Sequence, residues 1–137
     1  MGPEFDSLAY GFPWLVFYLL TVAVIYILGV FVYVKLTPHK EFELVGQGNM
    51  AAAIHLSALI VSLALPLAAC LVNKIGLVDT AVWGTFSVVL QLFLFRLTDA
   101  IFKGMPDLIR NDVAAPATVL AAFKIAGSIL LAFAVSG

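Results

Sequence analysis

Two side chains stand where an apolar chain should not have them. Lys124 lies inside the uncharged run Val113 to Val135, and His55 lies inside the run Met50 to Val72. A lysine 12 residues into a helix is roughly 18 Å from its start, near the middle of a hydrocarbon core about 30 Å thick. Placing it there costs about 2.5–3.5 kcal/mol on insertion scales, so an intramembrane charge is read first as part of a proton, ion or substrate route. Snorkelling, or pairing with carbonyls and a carboxylate, is the structural alternative. Ala117, Ala121 and Ser128 share its helical face and leave room for neighbouring helices. His55 shares a face with Ala51, Ala52, Ala58 and Ser62. An imidazole titrates near neutral pH and can relay protons or hold a ligand. It can equally act as a hydrogen bond between helices. Gln91 lines up at helical spacing with Gly84, Ser87 and Thr98, a pattern that also suits interhelical hydrogen bonding. Asp99 follows Arg96 by three residues. The two can form an i,i+3 pair at an interface, or Asp99 can turn inward as the counter-ion of Lys124. Lys124, His55, Gln91 and Asp99 are therefore the candidate polar interior.

A second set lies in polar turns. Lys35 to His55, KLTPHKEFELVGQGNMAAAIH, separates two apolar runs, and Pro106 to Thr118, PDLIRNDVAAPAT, separates the next two. Thr37 and Pro38 fit the start of a short helix. His39, Lys40, Glu41 and Glu43 would face water, and Phe42 and Val45 would face the membrane. Asn49 and Asp112 suit the N-caps of the spans that follow. His39, Glu41, Asn49, Asn111 and Asp112 are the candidates for contact with a partner. With two histidines and one cysteine in the chain, no thiolate cluster or internal disulfide is possible, and no metal site is expected. The Gly46-Gln47-Gly48-Asn49 segment lacks the GK[ST] of a phosphate-binding loop. No Ser-His-Asp set, paired-carboxylate site, HExxH or dinucleotide fingerprint is present either. No catalytic residue and no cofactor is expected, and the chain is not read as an enzyme.

What positions these residues follows from composition. Of 137 residues, 64% are hydrophobic and 11% charged, against roughly a quarter charged in a soluble domain. So short a chain cannot hide that much apolar surface in a water-soluble core, so lipid must act as solvent for much of it. Net charge is −1, which offers nothing to nucleic acid. The runs give four spans, about residues 12–36, 50–72, 78–102 and 113–135, in a single domain over residues 1–137. Pro13 fits the first turn of the first span, and Pro66 should bend the second. The acidic start of the chain lacks the basic region of a secretory signal, and residues 1–5 are given no functional weight. Lys35, Lys40, Arg96, Lys103 and Arg110 flank the first and third loops, and only Lys74 lies on the other side. That asymmetry predicts both polar turns in the cytoplasm and both termini outside.

At an offset of 63, Val45 aligns with Leu108, Asn49 with Asp112, and Met50-Ala51-Ala52-Ala53 with Val113-Ala114-Ala115-Pro116. Two spans per unit would make this a parallel repeat. Thr37-Pro38-His39 with Glu41, then Asn49, Ala51 and Ala52, and in the second half Asn111, Ala114 and Ala115, resemble the YjfL-like family of small bacterial inner-membrane proteins, domain of unknown function 350. The resemblance covers nearly the whole chain, with departures at Asp112 and Pro116. It implies a four-span inner-membrane fold in two related halves and no particular reaction. It also hints at envelope-stress partners of the phage-shock type.

The expectation is an all-α polytopic membrane bundle of two tandem parallel-repeat hairpins with short interfacial turns. Its function would be conduction or transport of a small ion or solute through the polar interior of an inner-membrane protein. The alternative is a non-catalytic scaffold recruiting a cytoplasmic partner through its turns. Ala114, Thr118, Ala122 and Ala126, spaced by four, offer a close-packing face for a homo-oligomer.

Overall fold

The computed structural model describes residues 2–37, 40–73 and 76–136. Among these, six helices follow one another: α1 (Pro3–Leu36), α2 (Glu41–Gly46), α3 (Met50–Val72), α4 (Leu77–Ile101), α5 (Met105–Arg110) and α6 (Ala114–Ser136). The four long ones are each long and apolar enough to cross a membrane. α3 runs over the expected residues, and α4 and α6 lie within a residue of theirs.

α1 begins nine residues before its expected start. Pro3, not Pro13, takes the first helical position, where its missing N–H is no loss. Glu4 and Asp6 then place negative charge against the N-terminal end of the helix dipole. The resulting 34 residues reach roughly 51 Å, more than a hydrocarbon core requires. The excess lies at the N-terminal end, where Phe5, Leu8, Tyr10 and Phe12 are exposed. Further along, α1 presses onto α4. A Cβ added at Gly29 would lie 2.8 Å from Val88 Cγ1, so the close approach depends on a residue without one.

α3 and α6 pack most extensively on one another, with α4 against both and α1 against α4 and α3. The core has two parts. One joins Tyr33, Leu56, Leu59, Leu63, Val88 and Phe95 through the body of the bundle. The other joins Ala51, Ala52, Met105, Ile109, Ala117 and Leu120 beneath the short helices. Alanine at Ala51, Ala52 and Ala117 lets the starts of α3 and α6 approach closely, the use membrane helices make of small residues.

The turns differ from expectation in three ways. Thr37 closes α1, with its hydroxyl donating to the Tyr33 carbonyl at 2.8 Å, and Lys40 precedes α2. Pro38 and His39 lie outside the described residues, as does Lys74. Second, Glu41, expected in water, is 1% exposed, while Phe42, expected to face the membrane, is 56% exposed. Third, the backbone of the two turns matches at a spacing of 64, not 63. Asn49 N–H donates to Leu44 O and Val113 N–H to Leu108 O, both at 2.9 Å. Gly48 and Asp112 are then the equivalent residues, and both hold positive φ, 86° and 59°. The offset of 63 followed side-chain chemistry, Asn49 with Asp112, where the backbone pairs Asp112 with a glycine.

Candidate functional site

Five of the six helices send a polar side chain to one point near the end of the bundle that carries α2 and α5. Lys124 on α6 is 1% exposed. Its Nζ lies 2.8 Å from Asp99 Oδ1 on α4, 2.7 Å from His55 Nε2 on α3 and 2.5 Å from the Tyr33 hydroxyl on α1. Tyr33 in turn donates to Asp99 Oδ2 at 3.0 Å. On the far side of the imidazole, His55 Nδ1 meets Glu41 Oε1 on α2. The rings of Tyr33 and Phe95 flank the amine, with centroids 4.9 and 5.4 Å from Nζ.

One arrangement of protons satisfies these contacts together. An ammonium has three donors and no acceptor, and here three acceptors surround it: Asp99 carboxylate, Tyr33 oxygen and His55 Nε2. With Nε2 accepting, the imidazole proton sits on Nδ1 and points to Glu41. Tyr33 passes its own proton toward Asp99. The result is an unbroken chain of ionisable groups, Glu41–His55–Lys124–Asp99, with Tyr33 bracing the amine. Side chains on a helix lean toward its N-terminus. Lys124 therefore reaches back toward the short helices, and Asp99, two residues from the end of α4, meets it there.

Access is on the same side. A cleft of about 180 Å³ opens beside α5, and His55, Arg96 and Asp99 are among the residues that line it. Asp99 is the member of the cluster with exposure, 26%. Arg96 does not hold it. The guanidinium reaches Leu36 O at 3.3 Å, and the carboxylate turns inward to Lys124.

Of the sequence candidates, Lys124, His55 and Asp99 are brought together. Gln91 is buried eight residues before Asp99 on α4, and its side chain makes no hydrogen bond to them among the described residues. Glu41 joins the cluster from the turn set. Asn49 caps α3, accepting from Ala52 N–H at 2.9 Å, and its amide donates across to Ile109 O at 2.7 Å. Asp112 accepts from Ala51 N–H at 2.9 Å, so it serves the start of α3. Each turn thus ties down the other. Asn111 and Asp112 are exposed, and His39 lies outside the described residues. Among the described residues no group of three or more His, Cys, Asp or Glu is placed to hold a metal ion.

Tyr33 was not singled out from the sequence, where it reads as an interfacial aromatic. No local signal marks it. Glu41 left one: it is four residues from Val45, which packs against both parts of the core. Residues four apart on a helix share a face.

The family model described as Domain of Unknown Function (DUF350) matches residues 7–135. The chain is 28% identical over 103 residues to the UPF0719 inner membrane protein YjfL of Escherichia coli (strain K12), covering 75% of this chain and 78% of that protein. The protein of the same name from Escherichia coli O157:H7 matches equally. No solved structure matches.

Proposed function

The chain belongs to the DUF350 family, and from that premise we propose that it is a non-enzymatic, multi-pass inner-membrane protein that moves protons. The observation that supports this most directly is the three-way coordination of Lys124 by Asp99, His55 and Tyr33, extended through His55 to Glu41. Intramembrane ionisable groups that pair with one another mark ion and proton routes. The proton suits this site better than a larger ion. It can pass between hydrogen-bonded groups without an open pore, and the core beyond the cluster is filled by Leu59, Leu63, Leu67 and Val88.

In this reading the short-helix end faces the cytoplasm. Lys35, Lys40, Arg96, Lys103 and Arg110 all flank it, and Lys74 belongs to the opposite connection. A proton arriving through the cleft reaches Asp99. The Lys124 ammonium has no lone pair to accept it, so it first gives one of its own protons to His55 Nε2 as the Nδ1 proton moves to Glu41, and the neutral amine then takes the proton held at Asp99. These transfers load the cluster from the short-helix side. The equivalent backbone of the two turns supports a tandem-repeat origin for the bundle. The transferring unit is the single chain, since all five side chains belong to it. Self-association through the exposed face of Thr118, Ala122 and Ala126 is then a packing contact and contributes no residue to the route.

The test is proton flux into liposomes driven by a potassium diffusion potential and read with an internal pH dye. Wild-type protein should carry protons, and Lys124→Ala should lose at least nine-tenths of the flux. A wild-type protein that carries none, or a variant that carries as much, refutes the reading.

A further inference from the structure

Beyond Lys124 the polar side chains do not stop. α4 buries Thr80, Ser87 and Gln91 on one face, and α3 and α6 bury Ser62 and Ser128. Gln91 is eight residues before Asp99, roughly 12 Å farther from the short-helix end. Ser62 is seven residues past His55 on α3, which runs the other way, roughly 10 Å in the same direction. The two therefore lie at nearly the same height, close to mid-bundle. Ser128 is tied to that layer, because its hydroxyl donates to the Ser62 carbonyl.

Gln91 is 1% exposed, and neither its Nε2 nor its Oε1 has a hydrogen-bond partner among the described residues. The Ser62 hydroxyl has none there either. A primary amide offers two donors and an acceptor, and a hydroxyl offers one donor and an acceptor. Leaving both unmet away from bulk water is costly, and native interiors answer such groups with protein partners or with ordered water.

We propose that Gln91 and Ser62, with Ser128 beside them, bind internal water at mid-bundle. Resting on the proton reading above, this water is the link from the Lys124 cluster toward the opposite end. The geometry continues in that direction. Ser87 is one turn beyond Gln91 on the same face of α4, its hydroxyl donating to Trp83 O at 2.6 Å. Cys70 and Trp83 both line a cleft of about 430 Å³ at the end opposite the short helices. Buried polar side chains therefore succeed one another from the Lys124 cluster toward the second cleft, and the Gln91 layer, roughly 12 Å from Asp99, is where water would join them. Water, as both donor and acceptor, can hand a proton across.

The test pairs a spectroscopic readout with flux. Infrared spectra of the full-length protein in phosphatidylethanolamine–phosphatidylglycerol vesicles, in H₂¹⁶O and H₂¹⁸O, isolate the O–H stretch of internal water. Wild type should show an isotope-shifted band that Gln91→Leu loses. Leu is close to Gln in size, so the core accepts it. Gln91→Asn should keep the band. Flux in Gln91→Leu should fall at least tenfold. A wild type with no such band overturns the water site without any variant having to fold, as does a band that persists in Gln91→Leu. A band lost while flux stays at the wild-type level overturns the linking role. A band that behaves as expected in a wild type without flux upholds the water site and refutes only the proton reading.

Discussion

The two short helices have nearly the same backbone and opposite chemistry. α2 and α5 each have six residues and end in matching hydrogen bonds, and each leads into a helix of 23 residues. At the spacing of 64 that the backbone gives, Glu41 corresponds to Met105, and both are buried. One turn delivers a carboxylate to the imidazole of His55, and the other delivers a thioether to the apolar cluster around Ile109. The same holds along the spans. Lys124 corresponds to Ile60 and His55 to Val119, and neither Ile60 nor Val119 is buried. The backbone course of the two turns is shared, and the ionisable cluster is not. Each half supplies members the other lacks: Tyr33, Glu41 and His55 from the first, Asp99 and Lys124 from the second.

Exchanging the two chemistries should break the comparison most strongly. Met105→Glu puts a second carboxylate among the apolar side chains around Ile109 and on the wall of the cleft that Asp99 also lines, and should destabilise the bundle by several kcal/mol in denaturant titrations in detergent. Glu41→Met removes the His55 contact from a site that already has room for a long side chain. It should cost about 1–3 kcal/mol and leave helix content by circular dichroism unchanged. If Met105→Glu proves the milder of the two, the turns are not chemically specialised in the way described.

The clasp between the turns predicts a smaller effect. Asn49 makes the cap of α3 and a bond to the end of α5, so Asn49→Ala should lower stability by about 2 kcal/mol. Hydrogen exchange should quicken at the end of α5 as well as at the start of α3. Faster exchange at α3 alone would mean that Asn49 caps its own helix and does not join the two turns.

The smallest effect separates Gly48 from Asp112. Both hold positive φ, but a Cβ at Gly48 meets open space, so Gly48→Ala tests backbone strain alone and should cost about 1 kcal/mol. Asp112→Gly relieves that strain and loses the bond to Ala51 N–H, so the two contributions should nearly cancel. A Gly48→Ala protein as stable as wild type would remove the backbone argument for pairing these positions.

The four apolar runs, their order and most of their ends were legible in the sequence, because helix in lipid follows from local hydropathy and length. The start of α1 was misplaced because Pro13 and Pro3 both suit a first turn, and local chemistry does not choose between them. The polar positions Lys124, His55, Asp99 and Gln91 were legible for the same local reason: a polar residue in an apolar run is conspicuous. Tyr33 was not, since a tyrosine near a span end suits an interface equally well. Glu41 was misassigned to water because a six-residue helix has too few turns for its pattern to fix which face is buried.

By itself the sequence determined a four-helix membrane chain with a small set of anomalous side chains, because these depend on each residue and its near neighbours. Tertiary structure alone decided that Asp99 turns away from Arg96 to Lys124, that Glu41 faces His55, and that Gln91 stands apart. Each of those depends on the rotation and depth of helices far apart in the chain, and the packing of α1, α3, α4 and α6 sets both.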